Sequence, residues 1–178
     1  MERGLILKKG TIVDSTIISA PSSTKNKEKK RDPDAHQVKK GNTWHFGYKA
    51  HIGVDRDSGL VHTVEATAAN VHDATETSKL LTGDEDEVYG DSGYLGAEKR
   101  GDAIIRNKAG RKIKYRINRR PSQVKKLSKS GQYAAKKAEH AKSSVRAKVE
   151  HAFGVVKKQL RFRKTRYRGL ETQTAKFN

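Results

Sequence analysis

The sequence predicts an α/β fold: a mixed sheet with three antiparallel strands and then further strands, flanked by helices. Apolar or alternating residues at 10–21, 44–54 and 60–67 indicate three strands near the N-terminus. Further along, shorter strand patterns around Val88 and at 112–117 alternate with helical patterns. A long apolar stripe at helical spacing ends this series, and the order favours helices packed on a sheet.

Composition limits the possible classes of protein. The 178 residues suit one domain, with 33% apolar and 33% charged residues. The absence of cysteine excludes disulfides, thiolate metal sites and cysteine nucleophiles. Because no segment approaches the ~20 apolar residues of a membrane span, we expect a cytoplasmic protein without a membrane partner.

The first strand carries a carboxylate among aliphatic residues, in the stretch GTIVDSTIISAP at 10–21. Asp14 is flanked by Val13 and Ile17 and would lose hydration there. A strand edge, a cap or a basic partner would each explain it, and a metal ion is the further possibility.

The next segments predict a loop and a hairpin. Residues 21–43 are polar and rich in lysine, which indicates a mobile basic loop. Residues 44–54 alternate as a half-buried strand, DRDSG at 55–59 suits a turn, and 60–67 returns. Trp44 and Tyr48 are interpreted as core or strand-face residues rather than as platforms for base stacking.

The middle of the chain predicts short alternating elements. Asp73 and Glu76 form a capping-box pattern that predicts a helix. A strand around Val88 ends in a glycine-rich turn that carries Asp91, for which a turn or N-cap role is the ordinary interpretation. A second helix is expected at 97–105, a strand at 112–117, and a polar loop or short insertion at 118–135.

The last long element is an amphipathic helix at about 136–160. Arg146, Glu150 and Lys157 fall within roughly 40° on its wheel, at the border of the apolar stripe. An ordinary salt bridge between Arg146 and Glu150 is one interpretation. The other is that Glu150 joins Asp14 and Asp91 in an oxygen cage for Mg²⁺.

Charge is concentrated in one stretch. Residues 99–166 hold 24 Lys and Arg against three acids, while the whole chain has a net charge of +19. Such a field favours nucleic acid as the partner, with a solvated tail or a membrane-surface patch as alternatives.

Four blocks of sequence resemble the IS5 group within the IS4-like DDE transposases. They are VDSTIISAPSSTKNKEKKRDP, KKGNTWHFGYKAHIGVD with its continuation, GDSGYLG, and RAKVEHAFGVVK ending in RYRGL. The resemblance implies an RNase H-like catalytic domain at 10–170, between a short N-terminal remnant at 1–9 and a truncated segment at 171–178.

The resemblance also implies site residues and partners. Asp14, Asp91 and Glu150 would be the catalytic ligands of two Mg²⁺ ions, for which Mn²⁺ can substitute. Arg146 and Lys157 match the family's signature for binding the transposon end, and the signature's tyrosine is Ser143 here. The neighbouring bases Lys148, Lys158 and Arg161 are expected to bind DNA phosphates.

These features predict a Mg-dependent transposase that cleaves and joins double-stranded DNA at insertion-sequence ends, with a homodimer on DNA as an option. The alternative is a truncated or inactive derivative that only binds DNA.

Overall fold

The sheet has six strands. The computed structural model of the chain describes residue 7 and residues 9–177, except the side chain of residue 177. The predicted N-terminal remnant at 1–9 therefore lies outside the described residues apart from residues 7 and 9. The strands are β1 Gly10–Ser19, β2 His36–Lys40, β3 Thr43–Asp55, β4 Val61–Ala68, β5 Glu87–Gly90 and β6 Lys114–Ile117.

The helices are concentrated after the last strand. They are α1 Pro121–Lys125, α2 Lys129–Arg146, α3 Lys148–Gly154 and α4 Leu170–Phe177, with a π-helical turn at Val155–Gln159. Four short 3₁₀ turns lie between β4 and β6, at Asp73–Thr75, Ser78–Leu80, Ser92–Tyr94 and Ala97–Lys99. Across the described residues, no helix combines the length and the apolar character needed to cross a bilayer.

The sheet is mixed, with the order β2-β3-β1-β5-β6 and β4 paired to β3. The first part is antiparallel, since β1, β2 and β4 all run opposite to β3. The second part is parallel, with β5 beside β1 and β6 beside β5. This arrangement confirms the predicted fold class and is consistent with an RNase H-like domain.

The register of β1 against β3 assigns the two faces of the sheet. Asp14 pairs with Ile52 and Ser15 pairs with His51, so adjacent residues of β1 point to opposite faces. On the Asp14 face, Ile12, Ile52 and Val54 pack with Val149 of α3. On the Ser15 face, Val13 packs with Leu80, Leu81, Val88 and Tyr94.

The prediction that β3 is half-buried is wrong. From Gly47 to Asp55 every residue of the strand is buried. Helix α3 covers one face, and the chain around Leu80 covers the other. The alternation in sequence reflects an apolar face and a buried polar face, the latter carrying Lys49 and His51.

The predicted loop at 21–43 contains a strand. β2 pairs with the first five residues of β3, and Gly41, with φ of 60°, opens the two-residue turn between the strands. The rest of the segment is anchored through Asp32, whose carboxylate accepts from Tyr48 Oη at 2.6 Å and from the Gly169 amide at 3.1 Å. Its predicted mobility stays a prediction.

The two predicted central helices are also wrong. The first segment forms two 3₁₀ turns, and its N-cap is His72, whose Nδ1 accepts from the Ala74 amide. Asp73 is no cap, since its carboxylate turns instead toward β1 and β3. In the second segment only Ala97–Lys99 is helical, because residues 105–107 pair with residues 111–113 in an extended turn ahead of β6.

The predicted loop at 118–135 is instead mostly helical. Pro121 occupies the first position of α1, where its missing amide donor costs nothing. Ser128 caps α2 by accepting from the Gly131 amide at 3.2 Å. The proline at the first helical position and the serine N-cap are the local signals for these helices.

The amphipathic helix exists but begins at Lys129 and is interrupted at Ala147. Val149 is buried in the core, and Val145 and Phe153 pack beside it. The stripe does not continue to Leu160, which is 70% exposed.

The segment at 171–178, predicted as truncated, is mostly helix α4. Leu170 at its start packs on the cluster of Ala20, Ala35 and Tyr48. Before it, residues 163–165 run beside the end of β1: the Ser19 amide donates to the Arg163 carbonyl and the Thr165 amide donates to the Ser19 carbonyl. The predicted domain boundaries stay predictions.

Candidate active site

Asp14 lies at the middle of β1, on the face covered by the C-terminal helices. Its Oδ2 is 3.1 Å from Arg146 Nη2, and its Oδ1 accepts from the Ser15 amide at 2.8 Å. The Asp14 side chain is only 16% exposed. The basic partner that would explain a carboxylate in this strand is therefore present, and it is supplied by the end of α2.

Asp91 directly follows β5, the parallel neighbour of β1. Its side chain accepts from the Gly93 amide at 2.7 Å and so caps the turn Ser92–Tyr94. The ordinary N-cap interpretation of Asp91 is confirmed, and it leaves the second carboxylate oxygen available for another partner.

Glu150 lies in the first turn of α3. The preceding residue, Val149, is 1% exposed and fixes the helix against Ile12 and Ile52. Glu150 itself is exposed, and no ion pair joins it to a base within residues 9–177. Of the two interpretations of Glu150, the ordinary salt bridge with Arg146 is wrong, because Arg146 turns toward β1.

One cavity brings the three acids together. It has a volume of about 570 Å³. The carboxylates of β1, of the turn after β5 and of α3 share it with five bases and several small or aromatic residues. The lining residues are Asp14, Ser15, Thr16, Lys40, Asp91, Arg146, Glu150, Phe153, Gly154, Lys157, Lys158 and Arg163.

The donor type in this cavity fits a hard divalent cation, because carboxylate oxygens are its preferred ligands. The arrangement is open: within the described residues, no three acidic or histidine side chains are close enough to share one ion. The positive charge nearest Asp14 is the Arg146 guanidinium.

The electrostatics agree with this geometry. Burial raises the pKa of Asp14, while the charge of Arg146 and the Ser15 amide act in the opposite direction. The negative charge of Asp91 also raises the pKa of Asp14, because the two carboxylates repel each other electrostatically. A cation between Asp14 and Asp91 would offset the cost of keeping the buried Asp14 carboxylate charged and would reduce the repulsion between the two carboxylates.

The predicted DNA-binding bases divide into two groups. Arg146, Lys157 and Lys158 line the cavity. Lys148 does not, since its Nζ donates to the Arg56 and Asp57 carbonyls at 2.7 and 3.0 Å, on the hairpin between β3 and β4. Arg161 is exposed outside the lining and has φ of 53°.

Sequence reasoning missed two bases of the cavity, Lys40 at the end of β2 and Arg163 after the π-helical turn. Burial lowers the pKa of Lys157, and the charges of Lys40 and Arg163 lower it further. The three cations therefore form a concentrated positive surface beside the acids. Arg163 lies in the basic C-terminal stretch, but only tertiary structure brings Lys40 to it.

Asn118, at the end of β6, supports Arg146. Its Oδ1 accepts from Arg146 Nη1 at 3.4 Å, and its Nδ2 donates to Glu139 Oε2 at 2.8 Å and to Ser143 Oγ at 3.3 Å. Ser143, which replaces the signature tyrosine, thus joins the hydrogen bonds that position Arg146. A polar residue after a strand was the available signal for Asn118.

A buried polar network lies behind Asp14, on the opposite face of the sheet. Asp73 Oδ1 accepts from Ser15 Oγ at 2.8 Å and from Lys49 Nζ at 3.0 Å. His51 Nδ1 lies 3.7 Å from the same oxygen. The network joins β1 and β3 to the 3₁₀ turn at residue 73, and so holds the strand that carries Asp14.

Gly93 lies between the network and the site. A Cβ at this position would lie 2.9 Å from Asp91 Oδ1 and 3.4 Å from Asp73 Oδ2. The first distance is too short for a real side chain. A side chain at position 93 would therefore displace the Asp91 carboxylate from this cap.

Comparison with known protein families agrees with this geometry. The family model described as a transposase DDE domain matches residues 6–178. The chain belongs to the DDE transposase family. No solved structure matches the chain. DDE transposases act on DNA and generally use divalent metal ions, which agrees with a cavity that combines carboxylates and bases.

Proposed function

We propose that this DDE transposase is a member of the IS5 group that hydrolyses DNA phosphodiesters at insertion-sequence ends and transfers the cut strand to target DNA. One observation supports the proposal most directly. Three carboxylates from β1, the β5 turn and α3 line the same cavity as five bases. Acids that bind a hard cation and bases that bind phosphate are the two requirements of this chemistry.

Asp14, Asp91 and Glu150 would together hold two divalent ions rather than share a single one, with Mg²⁺ as the natural ion and Mn²⁺ as a substitute. When bound, a pair of such ions activates the attacking water and stabilises the leaving oxygen. Hydrolysis joins the water oxygen to phosphorus and breaks the bond from phosphorus to the 3′-oxygen. The products are a 5′-phosphate and a 3′-hydroxyl, whose proton comes from the attacking water. In strand transfer that hydroxyl is the nucleophile, and a new 3′-hydroxyl leaves from the target.

The bases of the cavity bind and orient the DNA. Lys157, Lys158 and Arg163 provide positive charge for backbone phosphates without reading sequence. Arg146 has two potential anionic partners, Asp14 and a DNA phosphate, and its planar guanidinium suits either. DNA binding therefore competes with the ion pair and uncovers the Asp14 carboxylate. A homodimer on DNA stays a prediction.

The test is cleavage of a supercoiled plasmid by purified protein with Mg²⁺, with Mn²⁺, or with EDTA. We expect nicking or joining only with a divalent ion, and its loss in Asp14→Asn, Asp91→Asn and Glu150→Gln. All three variants should still retard DNA in a gel. Glu171→Gln, an exposed glutamate on α4, is the matched control and should cleave as the natural chain does.

The second candidate is a DNA-binding module that does not cut. It is favoured by the ion pair that occupies Asp14 and by the open arrangement of the acids. Retention of DNA without cleavage under every divalent condition would support this alternative and reject the catalytic proposal.

A further inference from the structure

Trp44 is 63% exposed, near the turn that joins β2 and β3. It lies on β3, as one of the two interpretations expected, but it is not a core residue, whereas Tyr48 on the same strand is fully buried. A single exposed aromatic is common and by itself indicates no function. Its surroundings carry the inference.

Trp44 lines a cavity of about 310 Å³ whose composition suits a planar, polar-edged ligand. Phe46 contributes a second aromatic wall, and the Arg31 guanidinium lies 5.7 Å from the centre of its ring. Gln37 adds an amide with both donor and acceptor atoms. Aromatic faces, a stacked guanidinium and an amide are the groups that proteins use to hold an unpaired base.

This cavity connects to the candidate active site through a second one. The intermediate cavity, about 460 Å³, shares Ser19 and His45 with the Trp44 cavity. It shares a threonine and three bases with the carboxylate cavity, namely Thr16, Lys40, Lys157 and Arg163. The lining residues therefore trace one continuous path from the acids to the tryptophan.

The charge along the path is of one sign. Among the described residues, no acidic side chain lines the intermediate cavity or the Trp44 cavity. The proximity of Lys40 and Arg163 lowers the pKa of Lys157, in addition to the effect of burial. An anion that spans the three bases would relieve this repulsion, and a chain of phosphates is such an anion.

The length of the path sets which nucleotide reaches Trp44. Ile52 pairs with Asp14, and Trp44 lies eight residues before Ile52 on β3. At roughly 3.3 Å per residue this is about 26 Å. One nucleotide cannot span this distance, so the base at Trp44 is several nucleotides from the reacting phosphate.

We propose that the cavity around Trp44 binds an unpaired base of a DNA strand whose phosphates run along Arg163, Lys157 and Lys40 from the candidate active site. The base must be unpaired, because the faces of paired bases are covered by their stacked neighbours. The site thus selects a single-stranded segment, whereas the cavity bases alone would hold any duplex. This inference rests on the proposed function for the direction of the strand.

Trp44 is the one tryptophan of the chain, so its fluorescence reports on this cavity alone. We would titrate the protein, in EDTA, with a blunt duplex and with the same duplex carrying an eight-nucleotide unpaired tail of either polarity. We expect quenching by one tailed duplex and little change with the blunt one. Equal quenching by blunt and tailed duplexes would overturn the proposal.

Affinities from the anisotropy of labelled DNA give the second measurement. Trp44→Ala should weaken binding of the tailed duplex by about 5- to 150-fold, the range for loss of one stacked base, and leave the blunt duplex unchanged. Trp44→Phe should retain most of the affinity. Tyr133→Ala on α2, which removes an aromatic that is 75% exposed, is the matched control and should bind both as before.

A Trp44→Ala protein that binds the tail as tightly as the natural chain would reject the inference. If the natural chain bound neither duplex, both this inference and the proposed function would be rejected. The binding measurements contain no metal ion and involve no cleavage. If the natural chain bound the tail through Trp44 but failed to cleave plasmid DNA, only the proposed function would be rejected. Circular dichroism of each variant checks that the fold is retained.

Discussion

Arg146 Nη2 lies 3.1 Å from Asp14 Oδ2, so the last turn of α2 neutralises the carboxylate at the centre of the sheet. The two side chains are 20% and 16% exposed. An ion pair in such a position is costly to break from one side, because the remaining charge keeps its desolvation without its partner.

Removing either partner should therefore destabilise the fold in the absence of divalent ions. We expect Arg146→Met to lower the free energy of unfolding by about 1–3 kcal/mol. The double variant Asp14→Asn with Arg146→Met should lose less than the sum of the two single variants. Urea unfolding in EDTA measures this cycle, and strictly additive losses would contradict the coupling.

The buried polar network behind Asp14, formed by Ser15, Lys49, His51 and Asp73, should be essential to stability. Asp73→Asn leaves the Lys49 ammonium buried with a weaker partner, and we expect a loss of about 3–5 kcal/mol. Adding Lys49→Met should recover part of that loss. Lys108→Met, which breaks an exposed pair with Asp84, is the control and should change stability by less than about 1 kcal/mol. Urea unfolding of the four proteins tests whether the paired charges depend on each other.

His51 should make stability depend on pH. Burial lowers the pKa of His51 to about 4, from 6.5 for an ordinary histidine. Between these values the unfolded chain binds a proton that the folded chain does not, so stability falls as pH falls from 6.5 toward 4. The expected loss is about 3 kcal/mol.

Urea unfolding between pH 4.5 and 7.5 measures this loss. His51→Asn should flatten the profile in this range. His36→Asn, at an exposed histidine of β2, should leave the slope unchanged. A His51→Asn profile with the natural slope would assign the pH dependence to other groups.

Binding of nonspecific duplex should weaken steeply with salt, because bound bases release counterions from the phosphates. Lys157→Met should reduce the slope of log affinity against log salt by about 0.9 if its ammonium neutralises one phosphate. Lys108→Met, at a base that is not among the residues lining the cavity, should leave the slope unchanged. Mobility-shift titrations at several salt concentrations provide the slopes, and a flat response would remove the basic cavity from the binding surface.

The strands could be predicted because their signal is local. Alternation over 44–54 and the apolar run around Asp14 identify β3 and β1 directly. The predictions of helices at 73–81 and 97–105 are wrong because contacts with distant parts of the chain determine the conformation of those segments. Asp73 would cap a helix in isolation, but Ser15 and Lys49 bind its carboxylate in the folded chain.

The site was predicted in part. The elements that carry the three acids follow from the sequence, but the partner of Arg146 does not, because β1 and α2 are far apart in the chain. The position of Lys148 outside the cavity could have been predicted, since two residues along a helix from Glu150 correspond to about 200° and hence to another face. Lys40 could not have been predicted as a cavity residue, because the polar segment that contains it shows no sequence signal for strand β2.

The bridge between Ser19 and residues 163–165 has a consequence for the newly made chain. Both backbone groups of Ser19 are taken by residues near the C-terminus, so the strand bearing Asp14 completes its pairing only after residue 165 has left the ribosome. A transposase still being translated would lack the finished wall that Arg163 supplies. Synthesis itself would thus delay competence until residue 165 has emerged.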